Sequence, residues 1–128
     1  MSNRTVVVLK GDQTGQELLV EALRVIHPSI THVELDFVTF DLSLDARRAS
    51  QNKIVHEAAA ALNQYGLGIK AATITPEAAG DVGSPNAIIR DEIHGEVILR
   101  TGRRIPSVRP LGGVHAPIAV IRMAVDDA

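Results

Sequence analysis

Two hydrophobic periods alternate along the first half of the chain. Residues 5–26, TVVVLKGDQTGQELLVEALRVI, open on a continuous apolar run from Val6 to Leu9 and turn at Gly11 and Asp12. Leu18, Leu19, Ala22, Val25 and Ile26 then recur at helical spacing. A buried strand, a loop and an amphipathic helix make half of a βαβ unit. Thr14, with Glu17 three residues on, has the spacing of a capping box and is the expected helix start. THVELDFVTF, residues 31–40, alternates as a second strand. Asp45 or Ser50 is the expected cap of the next helix, QNKIVHEAAAALNQY, and Gly66 its end. LGIKAATI, residues 67–74, returns as a strand closed by Thr75 and Pro76. Strands and helices in this order predict an α/β fold: a three-layer sandwich with a partly parallel sheet.

After Pro76 the texture changes. Gly80 to Pro85 reads as loop, NAIIRDEI as a short helix capped near Ser84, and GEVILR as a strand. TGRRIPSVRPLGGVHAP is irregular and rich in turn-formers, and IAVIR is a last strand. The expected organisation is one domain over residues 1–128, with strand–helix repeats in 1–79 and an arginine-rich segment in 80–128. No internal repeat or low-complexity tract interrupts it.

Composition narrows the chemistry. The apolar fraction of 45% is carried by Ala, Val, Ile and Leu, with two Phe, one Tyr and no Trp, which suits layered helices and strands. A formal charge of −2 gives no reason to expect nucleic acid or an anionic membrane surface. With no cysteine, disulfides, thiolate metal sites and cysteine nucleophiles are excluded. No run approaches about 18 apolar residues and no signal-peptide pattern opens the chain, so the expected location is the cytoplasm. The local balance differs from the global one. Arg90, Arg100, Arg103, Arg104, Arg109 and Arg122 stand against Asp91, Glu92 and Glu96, with no lysine among them. Guanidinium groups suit planar, bidentate contacts to carboxylate or phosphate.

Three constellations follow from these patterns. Gly11-Asp12-Gln13-Thr14-Gly15 lies between a strand and a helix N-terminus, a place that favours anions, but it is neither a dinucleotide fingerprint nor a P-loop. An ordinary strand-to-helix turn is the stronger reading. KAATITPE, residues 70–77, puts the hydroxyls of Thr73 and Thr75 at a strand's carboxyl end, where ligands of open α/β sheets bind. A strand edge whose threonines satisfy nearby backbone explains it equally well. Ser84, Asn86, Arg90 and Arg100 form a short polar frame: on a helix Asn86 and Arg90 are i, i+4 neighbours, with Ser84 at the entrance. Converging guanidinium groups repel unless an anion sits among them, so the frame suits a small polyanion. A solvated basic face paired with Asp91 and Glu92 is the alternative. His27, His32, His56, His94 and His115 show no metal-ligand spacing; His94 and His115 border the arginine segment, and Asp126-Asp127 reads as an acidic tail.

Together these pieces resemble the β-decarboxylating dehydrogenases, which act on isocitrate, isopropylmalate and homoisocitrate. GDQTGQEL resembles the family's opening GDGIGPE loop, with Gln13 and Gln16 in place of its glycine and proline; KAATITPE resembles its K-x-ATITP segment. SPNAIIRDEI followed by ILR is similar to S-x-N-x-x-x-R followed by LR, and AVIRMAVDDA to VIFRENSEDIY, with Arg122 on the arginine. The resemblance runs across essentially the whole chain and implies the fold of the family's N-terminal half. It gives Ser84, Asn86, Arg90, Arg100 and Arg122 the role of gripping the carboxylates of a 2-hydroxy acid. Lys70, Ala72, Thr73 and Thr75 take the loop against the nicotinamide of NAD or NADP. Met123 and Ala124 replace the glutamate and asparagine that follow the family's arginine. The family's tyrosine, its lysine and the aspartates that bind Mg²⁺ or Mn²⁺ have no counterpart within these 128 residues. The expectation is therefore a carboxylate binder with no catalytic residue, no metal site and at most weak NAD or NADP binding. As partners it implies further copies of itself or a dehydrogenase-like chain, and neither nucleic acid nor membrane.

Overall fold

The structure is a computed structural model and describes residues 4–113 and 116–124. Its elements in chain order are β1 (Arg4–Lys10), α1 (Gln13–Ile26), α2 (Pro28–Thr31), β2 (Leu35–Asp41), α3 (Leu44–Ser50), α4 (Lys53–Tyr65), β3 (Gly68–Lys70), α5 (Pro85–Glu92), β4 (Val97–Gly102) and β5 (Ile118–Met123). β1 is the centre of a three-stranded sheet in the order β2-β1-β3, parallel throughout. Alternate residues of β1 build the layers on its two faces. Val7 and Leu9 join Leu42, Val55, Ala58, Ala61 and Ile89 in the core under α4 and α5. Val8, paired with Ile69, packs on the opposite face with Leu19 and Leu23 of α1. The three-layer α/β sandwich is thus present. The antiparallel component lies outside this sheet: β4 and β5 form a separate two-stranded ribbon.

Chain direction explains the layers. From β1 to β2 the chain crosses over on the α1 face; from β2 to β3 it passes back beyond β1, over the α4 face. Right-handed crossovers in opposite directions place their helices on opposite sides. The reversal lies between β1 and β3, so the loops leaving their carboxyl ends flank a topological switch point, the usual ligand position in such sheets.

The helix starts differ from those read in the sequence. α1 begins at Gln13 with Asp12 as its cap residue, ahead of Thr14, and the Gln16 side chain accepts the Gly11 N–H at 3.0 Å. The expected helix over residues 51–65 is present as α4, and a separate helix, α3, precedes it over Leu44–Ser50. Ser43 caps α3, its Oγ accepting the Ala46 N–H at 3.4 Å, and α4 starts after Gln51 and Asn52, both in the left-handed region. Ser50 bonds back to the Ala46 carbonyl at 2.8 Å and caps nothing. Gly66, at φ 73°, ends α4 as expected. The third strand is shorter than LGIKAATI because pairing with β1 stops at Lys70; Ala71 makes one more bond, to the Leu9 carbonyl, and the chain then leaves the sheet.

Candidate functional site

The loops at the switch point are held by charged side chains. Asp12 does not cap its own helix with its carboxylate. Oδ1 accepts the Leu44 N–H at 2.9 Å and Oδ2 the Ile74 N–H at 2.8 Å, tying the segments after β2 and β3 to the one after β1. The backbone N–H of Asp12 donates to the Ala72 carbonyl at 3.0 Å. That contact requires two glycines. A Cβ on Gly11 would lie 2.1 Å from the Ala72 oxygen, and one on Gly15 2.7 Å from the Ala72 Cβ. The glycines of GDQTG therefore let two backbones touch.

Arg47 completes the frame. It is fully buried, and its guanidinium donates only to carbonyls: Nε to Leu42 at 3.0 Å, Nη1 to Gly83 at 3.0 Å and Nη2 to Ile74. Burial lowers its pKa from the ordinary arginine value, and the nearby Asp12 and Asp81 partly offset this. Its neighbour Arg48 points outward and pairs with Asp81 at 2.6 Å, which raises the arginine pKa and lowers that of the aspartate. Asn52 donates to the Val82 carbonyl at 2.7 Å. The sequence reading missed Arg47 and Asn52 and took Asp12 as part of a turn. Arg47 shares the i, i+3 stripe of α3 with Leu44, a signal that only the position of the facing loop separates from a solvated arginine.

The sequence-predicted residues fall in two places. Lys70, at the end of β3, donates to the Ala71 carbonyl at 2.8 Å and to Thr73 Oγ1 at 3.0 Å. Burial first, then the Arg47 charge, pushes its pKa down to about 8; Asp12 opposes this, and Arg90 adds a still smaller lowering effect. Ala72 and Thr75 are exposed on the same ledge and Thr73 is half-buried. Ser84 is the cap residue of α5, without a side-chain cap bond, and Asn86 and Arg90 are half-buried one turn apart. The Arg90 charge is near enough to lower the Lys70 pKa slightly. Arg100 and Arg122 lie on the ribbon. Arg100 is opposite Val120 and Arg122 opposite Ile98, so both project from one face, diagonally adjacent. Both are exposed, and among the described residues no hydrogen bond or ion pair joins them to α5. Nor does Asp91 or Glu92 pair with Arg90; Glu92 instead bonds His56 of α4. Among the described residues no three His, Asp or Glu side chains gather as a metal site. His94 is exposed just after α5, whereas His115 and Asp126-Asp127 lie outside the described residues.

The model of the isocitrate/isopropylmalate dehydrogenases matches residues 5–122, from β1 through the ribbon. The chain belongs to the isocitrate/isopropylmalate dehydrogenase family. Among its relatives it is 38% identical over 107 residues to the mitochondrial NADP isocitrate dehydrogenase of Saccharomyces cerevisiae, covering 77% of this chain and 25% of that one. The mitochondrial NADP isocitrate dehydrogenase of Aspergillus niger is 32% identical over 131 aligned residues, 95% of this chain and 26% of that one. The NADP isocitrate dehydrogenase of Sphingobium yanoikuyae is 36% identical over 107 residues, 77% and 26%. The chain spans about a quarter of the length of the curated relatives it matches. The family's N-terminal fold thus accounts for the parallel sheet and its flanking helices. No helix among the described residues is long and apolar enough to cross a membrane.

Proposed function

We propose that these residues bind a small di- or tricarboxylate of the 2-hydroxy-acid class without oxidising it on their own. The observation that carries this reading is a surplus of positive charge at the switch point. Half-buried Lys70 lies within the field of the Arg47 and Arg90 charges, and both carboxylate oxygens of Asp12, the acid among them, accept backbone N–H groups. Half-buried cations with no carboxylate opposite them stabilise a bound anion. Ser84, Asn86 and Arg90 would hold one carboxylate from the start of α5. Arg100 and Arg122, side by side on the ribbon, would take another. The ledge of Lys70, Ala72, Thr73 and Thr75 fits the nicotinamide end of NAD or NADP in part: Thr75 is exposed and Lys70 holds the Thr73 hydroxyl. The cofactor, when bound, supplies a hydride acceptor. Nothing in this reading passes through a metal ion.

Calorimetry with isocitrate, isopropylmalate and citrate tests the proposal. Binding is expected for at least one of them. A loss of tenfold or more is expected in Arg90→Gln, whereas Arg24→Gln, which alters the exposed pair with Glu21, should bind as the unaltered protein does. Absence of heat with all three acids overturns the reading. NADPH formation from isocitrate by this chain alone overturns only the statement that it does not turn its ligand over. A cytoplasmic location belongs to the same proposal and is checked by cell fractionation.

A second reading, a regulatory or complementing subunit, is favoured by the ribbon. Its other face carries Val97, Leu99, Ile121 and Met123, each more than half exposed. Mixing the chain with a full-length relative and measuring NADPH formation and co-elution decides it; no co-elution and no change in rate count against it.

A further inference from the structure

A buried guanidinium hydrogen-bonded only to carbonyl groups is an expensive way to fill a core position, because the charge gives up its water and meets no carboxylate in contact. Its placement explains why it is there. Leu42 follows β2, Ile74 follows β3, and Gly83 immediately precedes Ser84, so one planar fork spans three chain segments. Ile74 is held from both sides, its N–H by Asp12 and its carbonyl by Arg47, and it lies between Thr73 and Thr75. Arg48 and Asn52 grip Asp81 and Val82 next door, while Glu77 to Gly80 between the two clasped ends are exposed. A loop whose middle is free has both ends fixed to the same side chain.

We infer that Arg47 is a positioning residue: its buried guanidinium locks the Thr73–Thr75 ledge to the Ser84 entrance of α5, so that a ligand held at Ser84 and Arg90 is felt at Thr73 and Thr75. This rests on the carboxylate-binding reading given above. Lysine in place of Arg47 keeps the charge and the stem, but its ammonium cannot present three divergent carbonyls with a rigid fork.

Amide hydrogen exchange with and without citrate, on the unaltered protein and on Arg47→Lys, tests the inference. In the unaltered protein citrate should slow exchange both at residues 84–90 and at 73–75. In Arg47→Lys, ligand-free exchange at 73–75 and 81–84 should rise at least tenfold and citrate affinity should fall at least tenfold. Any remaining protection should stop at 84–90. A protein merely destabilised by the substitution would exchange faster throughout yet still transmit protection to 73–75. Affinity within twofold of the unaltered protein, with transmission intact, overturns the inference and leaves the binding reading standing. No protection by citrate anywhere in the unaltered protein, with no heat from the other acids, overturns both. Should Arg47→Lys fail to fold, exchange of the unaltered protein under increasing denaturant decides: residues 74 and 83 opening in one step support the lock, and separate steps overturn it.

Discussion

At the residue scale the most informative side chain is Lys70. Its ordinary value of 10.5 falls to about 8, chiefly through burial. Below about 8 the lysine is charged both folded and unfolded, and the whole cost of burying that charge is present. Between about 8 and 10.5 the folded protein sheds the proton while the unfolded chain keeps it, so stability rises with pH across this window. An anion bound beside Lys70 favours the charged form and takes a proton up. Calorimetry in buffers of different ionisation enthalpy should therefore show fractional proton uptake with citrate near pH 8. The uptake should vanish by about pH 6, where lysine is already charged, and be absent in Lys70→Met. Uptake unchanged in Lys70→Met would place the titrating group elsewhere.

Among the elements, the start of α1 shows how local preference yields to tertiary contact. An exposed helical glycine replaced by alanine ordinarily gains about 1 kcal/mol. Gly15 should do the opposite, because a Cβ there meets the Ala72 Cβ and oxygen at 2.7 Å and its nitrogen at 2.8 Å. Gly15→Ala is expected to lose about 1–3 kcal/mol of stability, as overpacked sites do, read as a lower urea midpoint with unchanged slope. A rise in the midpoint would mean that the β3 loop does not sit against the helix as described. The same contact explains what could be read from the sequence. Strands and helices were legible because the apolar run of Val7, Val8 and Leu9 and the helical spacing of Leu19, Ala22 and Ile26 match their elements. Leu18 and Val25 of the expected helical face are nonetheless exposed, and Leu23 packs on the sheet instead. The helix starts were not, because Asp12, the residue at the cap position, has its carboxylate drawn away to Leu44 and Ile74. Arg47 and Arg48 are adjacent and chemically identical; one is buried and the other paired with Asp81 at the surface. Only the loop from Ile74 to Gly83 distinguishes them, and its path is a property of the fold. Of the arginine frame, the helical part was legible as i, i+4 spacing, and the facing of Arg100 and Arg122 depended on the register of the ribbon.

For the whole molecule the ribbon is the open question of packing. A two-stranded sheet alone is marginally stable in water, and this one has Leu99 and Ile121 exposed by 61% and 72% on a face that carries no charge. The opposite face holds Arg100 and Arg122 among Ile98, Ile118 and Val120, so both cations of the ribbon lie on one side of it. Apolar surface of this kind, beside unpaired strand edges, is expected to be covered by another protein surface. If copies of this chain supply the cover, sedimentation should show concentration-dependent association that Ile121→Lys abolishes while carboxylate binding through the opposite face survives. A protein that stays monomeric at every concentration, with a full-length relative present or absent, would rule out both partners. Loss of association together with loss of binding would instead mean that the two faces depend on each other, and that the basic side is set by what covers the apolar one.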